Sequence, residues 1–311
     1  IGCCAVCDSS CLYSGTMTRI DLHSHSTRSD GRETPREVFE QAALAKVDIL
    51  ALTDHDTTSG WAEAAETASR LGLGFVPGIE VTTRAETASK DGKPRGISVH
   101  MLAYLPDPNY EPLARELAAT VLSRETRAQR IVELLSVDYD ITWELVTNML
   151  EEGATIGRPA LADALIHLGH FENRAQAFDG PLDKHGPYYV ATKTTDTLEA
   201  IQMIRAAGGV PIIAHPLGGV KGSLNRGDLP QAYFETMIEA GLAGFEVYHR
   251  EVSEQAREWL LELAEQHDLI VTGSSDYHGI DGKPNRLGEN STEREMLDRI
   301  LAQGSGTKAQ I

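Results

Sequence analysis

The chain has 311 residues, of which 41% are hydrophobic and 24% charged, and its formal net charge is −18 at pH 7. This composition is typical of a folded protein with a large buried core, and no apolar run reaches the eighteen or more residues of a membrane span. The acidic excess disfavours binding to duplex nucleic acid, whose phosphates carry the same sign of charge.

All the cysteines lie close to the amino terminus, at positions 3, 4, 7 and 11. We interpret residues 1–16 as an N-terminal tail that precedes Met17. Because the rest of the chain has no cysteine, it cannot contain a disulfide framework, which fits a reducing compartment. We therefore expect a cytoplasmic protein without a membrane partner, and the sequence indicates no particular oligomeric state.

Short apolar runs alternate with amphipathic segments through most of the chain, a pattern typical of βα units around a parallel sheet. Seven strands are predicted, at Thr18–Leu22, Asp48–Thr53, Phe75–Val81, Ile97–Tyr104, Val210–Ala214, Gly244–Tyr248 and Leu269–Gly273. Helices with apolar residues at three- and four-residue steps are predicted at Pro35–Ala45, Gly60–Leu71, Thr197–Ala207, Gln231–Ala240 and Ser253–His267.

Between residues 106 and 195 this alternation stops. The segment is predicted to be helical at Glu111–Leu135, Thr142–Glu152, Arg158–Leu168 and Glu172–Phe178. We therefore predict an α/β fold in which residues 17–105 and 196–303 form a barrel. Residues 106–195 form a helical insertion that caps its mouth, and the residues after about Gly304 are expected to fray.

Imidazole and carboxylate side chains follow the ends of the predicted strands. They occur in the motifs Asp21-Leu22-His23-Ser24-His25, Ser29-Asp30-Gly31, Thr53-Asp54-His55-Asp56, Gly78-Ile79-Glu80, His100, Ala214-His215-Pro216 and Ser275-Asp276-Tyr277-His278. Residues two apart in a strand point the same way, so His23 and His25 can face one metal ion. Because the carboxyl ends of parallel barrel strands meet at one face, the motifs predict a multinuclear metal site and a metal-dependent hydrolase.

In content and order these motifs resemble the polymerase and histidinol phosphatase (PHP) family of metal-dependent phosphoesterases, over nearly the whole chain. The resemblance implies a distorted (β/α)7 barrel with an inserted helical subdomain, which agrees with the seven predicted strands. It also implies ligands for three metals: His23, His25, Glu80 and Asp276 for the first, Asp30, His55 and His278 for the second, and Glu80, His100 and His215 for the third. Glu80 would bridge the first and third.

The Ser-Asp-Gly motif at Asp30 resembles the subgroup with a helical insertion that acts on small nucleotides, whereas some members have histidine at this position. The resemblance therefore favours a 3′,5′-nucleotide bisphosphate phosphatase, which removes the 3′-phosphate and leaves a nucleoside 5′-monophosphate. A water or hydroxide that bridges two divalent cations can attack phosphorus without a protein nucleophile. Up to three divalent metals are expected per chain. Manganese is favoured because several ligands are carboxylates, and zinc or iron are alternatives.

Further side chains are candidates for substrate contact. Arg158, at a predicted helix start, is expected to clamp a phosphate, and Lys184 and His185 to reach the substrate from a loop. His249 follows a predicted strand and is expected to bind a phosphate or protonate a leaving group, with Asp30 as a further catalytic residue. The flanking residues Asp54 and Asp56 are expected to orient imidazoles, and Tyr188 and Tyr189 either stack on a base or pack.

Three alternatives remain open at this point. The first is a phosphatase of the histidinol-phosphate type, which would gain nothing from an adenine base. The second is a non-catalytic nucleotide-binding module whose metals only hold structure. The third is hydrolysis of a C–N bond by a related metal barrel, but such barrels often use a modified lysine as the bridge, where this chain has Glu80.

Overall fold

A computed structural model describes residues 18–88, 94–150, 154, 156–191, 194–217 and 229–311. The proposed N-terminal tail lies outside the described residues. In chain order the elements are β1 (Ile20–Asp21), α1 (Pro35–Leu44), β2 (Ile49–Leu52), α2 (Trp61–Leu71), β3 (Gly74–Ala88), β4 (Pro94–Tyr104), α3 (Glu111–Leu135), α4 (Trp143–Asn148), α5 (Arg158–His167), α6 (Arg174–Asp179), β5 (Thr195–Asp196), α7 (Thr197–Ala206), β6 (Val210–Ile213), α8 (Gln231–Glu239), β7 (Gly244–Tyr248), α9 (Glu254–Gln266), β8 (Ile270–Gly273) and α10 (Arg294–Gln303).

Seven strands form one sheet in the order β1-β2-β3-β4-β6-β7-β8, and the short β5 pairs separately with β3. The segments that follow β1 and β8 meet at a parallel bridge between Ser24 and Tyr277, where the His25 N–H donates to the Tyr277 carbonyl at 2.8 Å. This contact nearly closes the sheet. The predicted seven-stranded α/β barrel is therefore confirmed.

The direction of β4 differs from the prediction of an all-parallel barrel. β4 runs antiparallel to both of its neighbours, β3 and β6, while the other pairs on the barrel path are parallel. β3 and β4 are paired over eleven residues each, so Glu80 and His100 lie within the strands of this hairpin and not at strand ends. The apolar pattern of a strand carries no information on its direction, which is why the sequence did not indicate the reversal.

The two faces of β2 show how the barrel is packed. Ile49 and Ala51 join an inner apolar cluster with Val76 and Leu102, whereas Leu50 and Leu52 pack outward in a cluster with residues of α1 and α2. Both faces of a parallel strand are thus buried, as expected for a sheet that is covered by helices. Leu22 and Ala214 belong to this inner cluster and directly precede His23 and His215, so the apolar interior adjoins the polar site residues.

The helical segment has an apolar cluster of its own. The first half of α3 packs on the barrel through Leu113 and Leu117, and its second half packs through Ile131 and Leu135 with residues of α4, α5 and α6. As predicted, α5 begins at Arg158, after Gly157, with a proline in its first turn. The boundaries 106–195 for an insertion and 17–105 and 196–303 for the barrel stay predictions.

The prediction that the carboxyl terminus frays is wrong. Helix α10, which the sequence analysis did not include, is followed by residues whose backbone groups are paired: the Ser305 N–H donates to Gly208 O at 2.7 Å, and the Thr307 N–H to Leu105 O at 3.0 Å. Gln310 and Phe75 exchange two backbone hydrogen bonds. These partners come from distant parts of the chain, so a local reading could not anticipate them. None of the described helices combines the length and apolar character needed to span a membrane.

Candidate metal centre

The segment after β1 is anchored by the buried carboxylate of Asp21. Its Oδ1 accepts the backbone N–H of Ser275 at 3.0 Å and of His23 at 3.4 Å, and its Oδ2 accepts the Gly288 N–H at 2.8 Å. Burial raises the pKa of Asp21 to about 6, although these hydrogen bonds oppose the rise. Asp21 thereby joins the strand that precedes His23 and His25 to the segment that carries Asp276.

A second buried carboxylate, Asp54, fixes the turn that carries Asp30. Its Oδ1 accepts the Ser26 N–H at 2.8 Å and the Ser29 hydroxyl at 2.7 Å, and its Oδ2 accepts the Ser26 hydroxyl at 2.7 Å. A Cβ at position 31 would lie 2.5 Å from the carbonyl oxygen of His25, so the turn requires Gly31. Among the described residues Asp54 makes no direct hydrogen bond to an imidazole, but the Ser29 hydroxyl that it holds lies 3.4 Å from His25 Nδ1. Asp54 therefore reaches His25 through Ser29 and also shapes the backbone of the Ser29-Asp30-Gly31 motif.

The carboxylate of Glu80 lies at the centre of the cluster and is 1% exposed. Its oxygens are 2.8–3.3 Å from ring nitrogens of five histidines: His23, His25, His55, His100 and His215. Glu80 and His100 come from the paired strands β3 and β4, where His100 lies opposite Thr82, two residues from Glu80. The other four histidines follow β1, β2 and β6. The hairpin thus carries the central carboxylate into a ring of imidazoles.

Two further carboxylates flank this centre. Asp276 Oδ1 lies 3.4 Å from His23 Nε2 and 3.3 Å from His25 Nε2. On the other side, Asp30 Oδ1 lies 3.2 Å from His278 Nε2, and Asp30 Oδ2 lies 3.8 Å from His55 Nε2. The backbone of Asp276 is left-handed, with φ of 55°, a conformation that costs energy in a residue other than glycine and that often marks functional sites.

Donor atoms of these side chains form three groups, each within 4.8 Å: His23, His25, Glu80 and Asp276; His25, Asp30, His55 and His278; and His55, Glu80 and His100. The first is the set that the sequence analysis assigned to one metal, and the second is the assigned set with His25 added. The third has His55 where His215 was expected, but the Nε2 of His215 is still 3.3 Å from Glu80 Oε1. The structure therefore brings all nine predicted ligand residues together.

Buried polar atoms in the cluster indicate that it fits cations. Asp30 Oδ1, Asp276 Oδ1 and His278 Nε2 are buried without a hydrogen-bond partner, which is costly unless another group satisfies them. Burial would raise the pKa of Glu80, but the neighbouring imidazoles hold it well below its usual range. Burial would likewise lower the pKa of His25, but Asp276 and Glu80 raise it to about 9. The site thus favours positive charge, which divalent metals with N and O ligands would supply.

Glu246 is a site residue that the sequence analysis missed. It is fully buried on β7, its Oε1 lies 3.0 Å from His23 Nδ1, and its Oε2 accepts the His215 N–H at 2.7 Å. Burial would raise the pKa of Glu246, but His23 and other imidazoles hold it to about 2. A carboxylate behind a ligating histidine fixes its tautomer and ring orientation. The signal in the sequence was a lone acidic residue inside the apolar strand Gly244–Tyr248.

His249, a candidate for phosphate binding or proton donation, lies beside the metal cluster. It is fully buried, its Nε2 is 3.8 Å from Asp276 Oδ2, and its Nδ1 accepts the backbone N–H of Glu251 at 3.2 Å. A neutral ring that accepts at Nδ1 carries its proton on Nε2, which faces the cluster. Burial lowers the pKa of His249, which favours this neutral form.

Lys283 is a second residue that the sequence analysis missed. Its Nζ lies 2.6 Å from Asp276 Oδ2, although the side chain is 41% exposed. Asn285 holds the same loop by donating to the carbonyls of Ser275 and Asp276 at 2.6 and 3.3 Å. Lys283 therefore occupies one oxygen of Asp276 and leaves the other directed at His23 and His25. Its position on an irregular loop left no periodic signal in the sequence.

The remaining substrate-contact candidates lie in the helical segment. Arg158 donates to the Leu182 carbonyl at 3.1 Å and has no hydrogen bond or ion pair with the described ligand residues. Lys184 and His185 are exposed, and the His185 N–H donates to Asp183 at 2.7 Å. The structure does not bring these three side chains into the metal cluster.

Asp56 does not orient an imidazole as expected. Its Oδ1 accepts the Thr82 N–H at 2.7 Å, and its Oδ2 lies 3.0 Å from Nη2 of Arg124, a residue that the sequence analysis missed. Arg124 also donates to the Thr82 hydroxyl. Asp56 thus links α3 to the segment that follows His55.

A second link joins the helical segment to the other side of the cluster. Arg174, the first residue of α6, donates to the backbone carbonyl of Asp30 at 3.1 Å and pairs with Asp163 of α5 at 2.6 Å. Asp163 also pairs with Arg32, two residues beyond Asp30, at 2.6 Å. The helical segment therefore contacts the metal cluster on two sides.

Comparison with known proteins agrees with this site. The sequence matches the PHP domain over residues 21–210. A phosphoribosyl 1,2-cyclic phosphate 1,2-diphosphodiesterase of Eggerthella lenta is 31% identical over 274 residues, which cover 86% of this chain and 97% of the relative. A 3′,5′-nucleoside bisphosphate phosphatase of Chromobacterium violaceum is 31% identical over 267 residues, with coverages of 84% and 88%. The Escherichia coli 5′-3′ exoribonuclease Rnm is 30% identical over 269 residues, with coverages of 83% and 84%.

Among solved structures, that of a candidate metal-dependent phosphoesterase from Bifidobacterium adolescentis aligns with a TM-score of 0.84 and 42% sequence identity, covering 93% of this chain and 97% of the other. Barrel and cluster together define a metal-dependent phosphoesterase, and the chain is therefore a hydrolase of this class. The chain belongs to the PHP domain family. The predicted family and enzyme class are confirmed.

Proposed function

We propose that the protein hydrolyses a phosphate monoester of a small nucleotide, in the favoured case the 3′-phosphate of a 3′,5′-bisphosphonucleotide, and releases a nucleoside 5′-monophosphate. The observation that carries the proposal is the Glu80 carboxylate. Its Oε2 lies 3.0–3.3 Å from ring nitrogens of three histidines, and its Oε1 lies 2.8–3.3 Å from those of two more. The relative from Chromobacterium violaceum, named for this reaction, supports the choice of substrate.

Three divalent metals form the proposed cofactor, with manganese favoured over zinc or iron because three carboxylates contribute. The proposed ligands are His23, His25, Glu80 and Asp276, then Asp30, His55 and His278, then Glu80, His100 and His215. The three groups of donor atoms described above support this assignment. His25 and His55 each fall in two of these groups. A neutral imidazole has a single lone pair, so each of these histidines would bind one ion, whereas the carboxylate of Glu80 has two oxygens to offer.

Bound divalent cations would activate a water molecule and neutralise charge on the phosphoryl oxygens. Glu246 accepts from His23 Nδ1–H, so the lone pair of His23 Nε2 faces the cluster. His249 presents its Nε2–H to the cluster and can donate a hydrogen bond to a phosphoryl or leaving-group oxygen. Asp30 is 19% exposed, against 1% for Glu80 and 3% for Asp276, so it is the carboxylate best able to orient water.

The proposed cap, residues 106–195, would restrict the site to small substrates. The contacts of Arg174 with Asp30 and of Arg124 with Asp56 support this role, since they hold the helical segment against both sides of the cluster. The net charge of −18 also disfavours a long nucleic acid. The relative named an exoribonuclease nevertheless makes a 5′-phosphorylated oligoribonucleotide the second candidate substrate.

The test uses the manganese-loaded protein and measures phosphate release from adenosine 3′,5′-bisphosphate, adenosine 3′-monophosphate and histidinol phosphate, and mononucleotide release from a 5′-phosphorylated oligoribonucleotide. We expect the highest kcat/KM with the bisphosphate and no activity after Glu80→Gln. Release of mononucleotides from the oligoribonucleotide at a higher kcat/KM would favour the second candidate. Equal rates with histidinol phosphate would contradict recognition of a nucleotide, and no turnover of any ester would refute the proposal.

A further inference from the structure

Three arginines lie together beside the metal centre, and we call them the arginine cluster: Arg124, Arg127 and Arg158. Arg124 and Arg127 are three residues apart on α3 and so share a face of that helix. Arg158 is the first residue of α5, and Nη1 of Arg124 lies 3.6 Å from where a Cβ on Gly157 would sit. All three side chains are partly buried.

Two of these guanidinium groups are fixed by uncharged neighbours. Arg127 donates through Nε to the Val190 carbonyl at 2.6 Å and lies over the Tyr189 ring at 5.4 Å from its centre. Arg158 donates to the Leu182 carbonyl and lies over the ring of Phe178 at 5.3 Å. Each contact orients a guanidinium through one N–H group, and within the described residues no other hydrogen bond of Arg127 or Arg158 is found, which is how arginine is held for bidentate binding of phosphate.

The positive charge of the arginine cluster is only partly balanced, since burial lowers the pKa of Arg158 although Asp183 nearby acts to raise it. Asp56, 3.0 Å from Arg124, is the only carboxylate in the described part of the chain that lies within 4 Å of any of the three guanidiniums. Arg124 Nε is also buried without a hydrogen-bond partner. Burial and the nearby charge of Arg158 lower the pKa of Arg127 to about 10, so the three cations are close enough to repel one another. An anion of charge −2 would remove this repulsion.

The arginine cluster is adjacent to the metal centre. Arg124 contacts Asp56, which follows His55, and Thr82, which pairs with His100 in the hairpin. A substrate whose reacting phosphate sits at the metal centre could therefore place a second anionic group among the arginines. Lys184 and His185, on an exposed loop, have no comparable connection to the cluster.

We propose that the arginine cluster binds a second phosphate of the substrate, the one that is not cleaved, and thereby selects esters with two phosphoryl groups. This inference rests on the proposed function, since it specifies which nucleotides that site accepts. It assigns Arg158 to the uncleaved phosphate and adds Arg124 and Arg127 as residues that determine specificity.

The first test compares kcat/KM for adenosine 3′,5′-bisphosphate with that for adenosine 3′-monophosphate. The wild-type ratio should be at least about tenfold, as expected for charge-assisted hydrogen bonds, and should fall toward one in Arg127→Met and Arg158→Met. The matched control is Arg130→Met on the same helix, because Arg130 is exposed and pairs with Glu133 at 2.5 Å. A wild-type ratio near one, or a ratio that both variants retain, would overturn the inference.

The second test measures binding of adenosine 5′-monophosphate and of adenosine to the manganese-loaded protein by calorimetry. Wild type and Arg130→Met should bind adenosine 5′-monophosphate at least about tenfold more tightly than adenosine. This preference should be much smaller in Arg127→Met and Arg158→Met. Thermal melting checks that each variant folds, and Arg127→Lys, which keeps the charge, should retain part of the effect. If no ester is hydrolysed but Arg127→Met and Arg158→Met lose the preference for adenosine 5′-monophosphate over adenosine, the proposed reaction is refuted and the phosphate-binding role of the arginine cluster is supported. If esters are hydrolysed and neither variant changes the binding of adenosine 5′-monophosphate, only the proposed role of the arginine cluster is refuted.

Discussion

Replacement of Glu246 by glutamine tests whether this buried carboxylate positions a metal ligand. Glu246 accepts two hydrogen bonds, one from His23 Nδ1 at 3.0 Å and one from the His215 N–H at 2.7 Å. A glutamine has one carbonyl oxygen, so one of these donors would face an amide N–H. A buried donor left unsatisfied costs about 1–3 kcal/mol, which corresponds to a loss of about 5- to 150-fold in metal affinity if the cost falls on the bound state.

The assay is a titration of the metal-free protein with manganese against a competing chelator, followed by kcat and KM at saturating metal. We expect Glu246→Gln to bind manganese about 10- to 100-fold more weakly, the range measured for residues that support metal ligands. Glu262→Gln, an exposed position on α9, is the matched control. Manganese affinity within twofold of wild type, in a variant that melts normally, would show that Glu246 does not position His23.

Three further predictions concern the same centre. Lys283→Met should tighten manganese binding about two- to tenfold, because the substitution removes a cation 2.6 Å from Asp276. The titration against a chelator measures this affinity, with Lys308→Met as the control, and weaker binding by Lys283→Met would contradict the prediction. Manganese at about 100 times its Kd should raise the melting temperature by about 5 °C, and chelation should reverse the rise. Scanning calorimetry measures this shift, and an unchanged melting temperature would refute the metal site. The pKa of Glu246 is held at about 2 against an ordinary 4.5, so its stabilising contribution is complete above about pH 4.5 and is lost as the pH falls toward 2. The free energies of unfolding of wild type and Glu246→Gln, measured with urea, should therefore converge over that pH range. A difference between them that does not change with pH would refute the lowered pKa of Glu246.

Much of the centre could be predicted from the sequence. Motifs such as Asp21-Leu22-His23-Ser24-His25 and Ser275-Asp276-Tyr277-His278 are local, and each follows a short apolar run that is recognisable as a strand. Strand ends in a barrel converge, so the pattern alone indicated that distant histidines and carboxylates would meet. The same apolar runs indicated seven strands, and the loss of their alternation after residue 106 indicated the helical segment.

Only the tertiary structure decided how these pieces are arranged and supported. The antiparallel β4 is the clearest case, because a strand has the same alternation in either direction, and this reversal places His100 beside Glu80. Glu246, Lys283 and the arginine cluster act through partners that are distant in the sequence or lie on irregular loops, where no periodicity marks them. The sequence by itself determined which side chains can hold metal, since ligand chemistry belongs to the residue. The three-dimensional fold decided which charges surround them, since electrostatic interactions depend on distance through space.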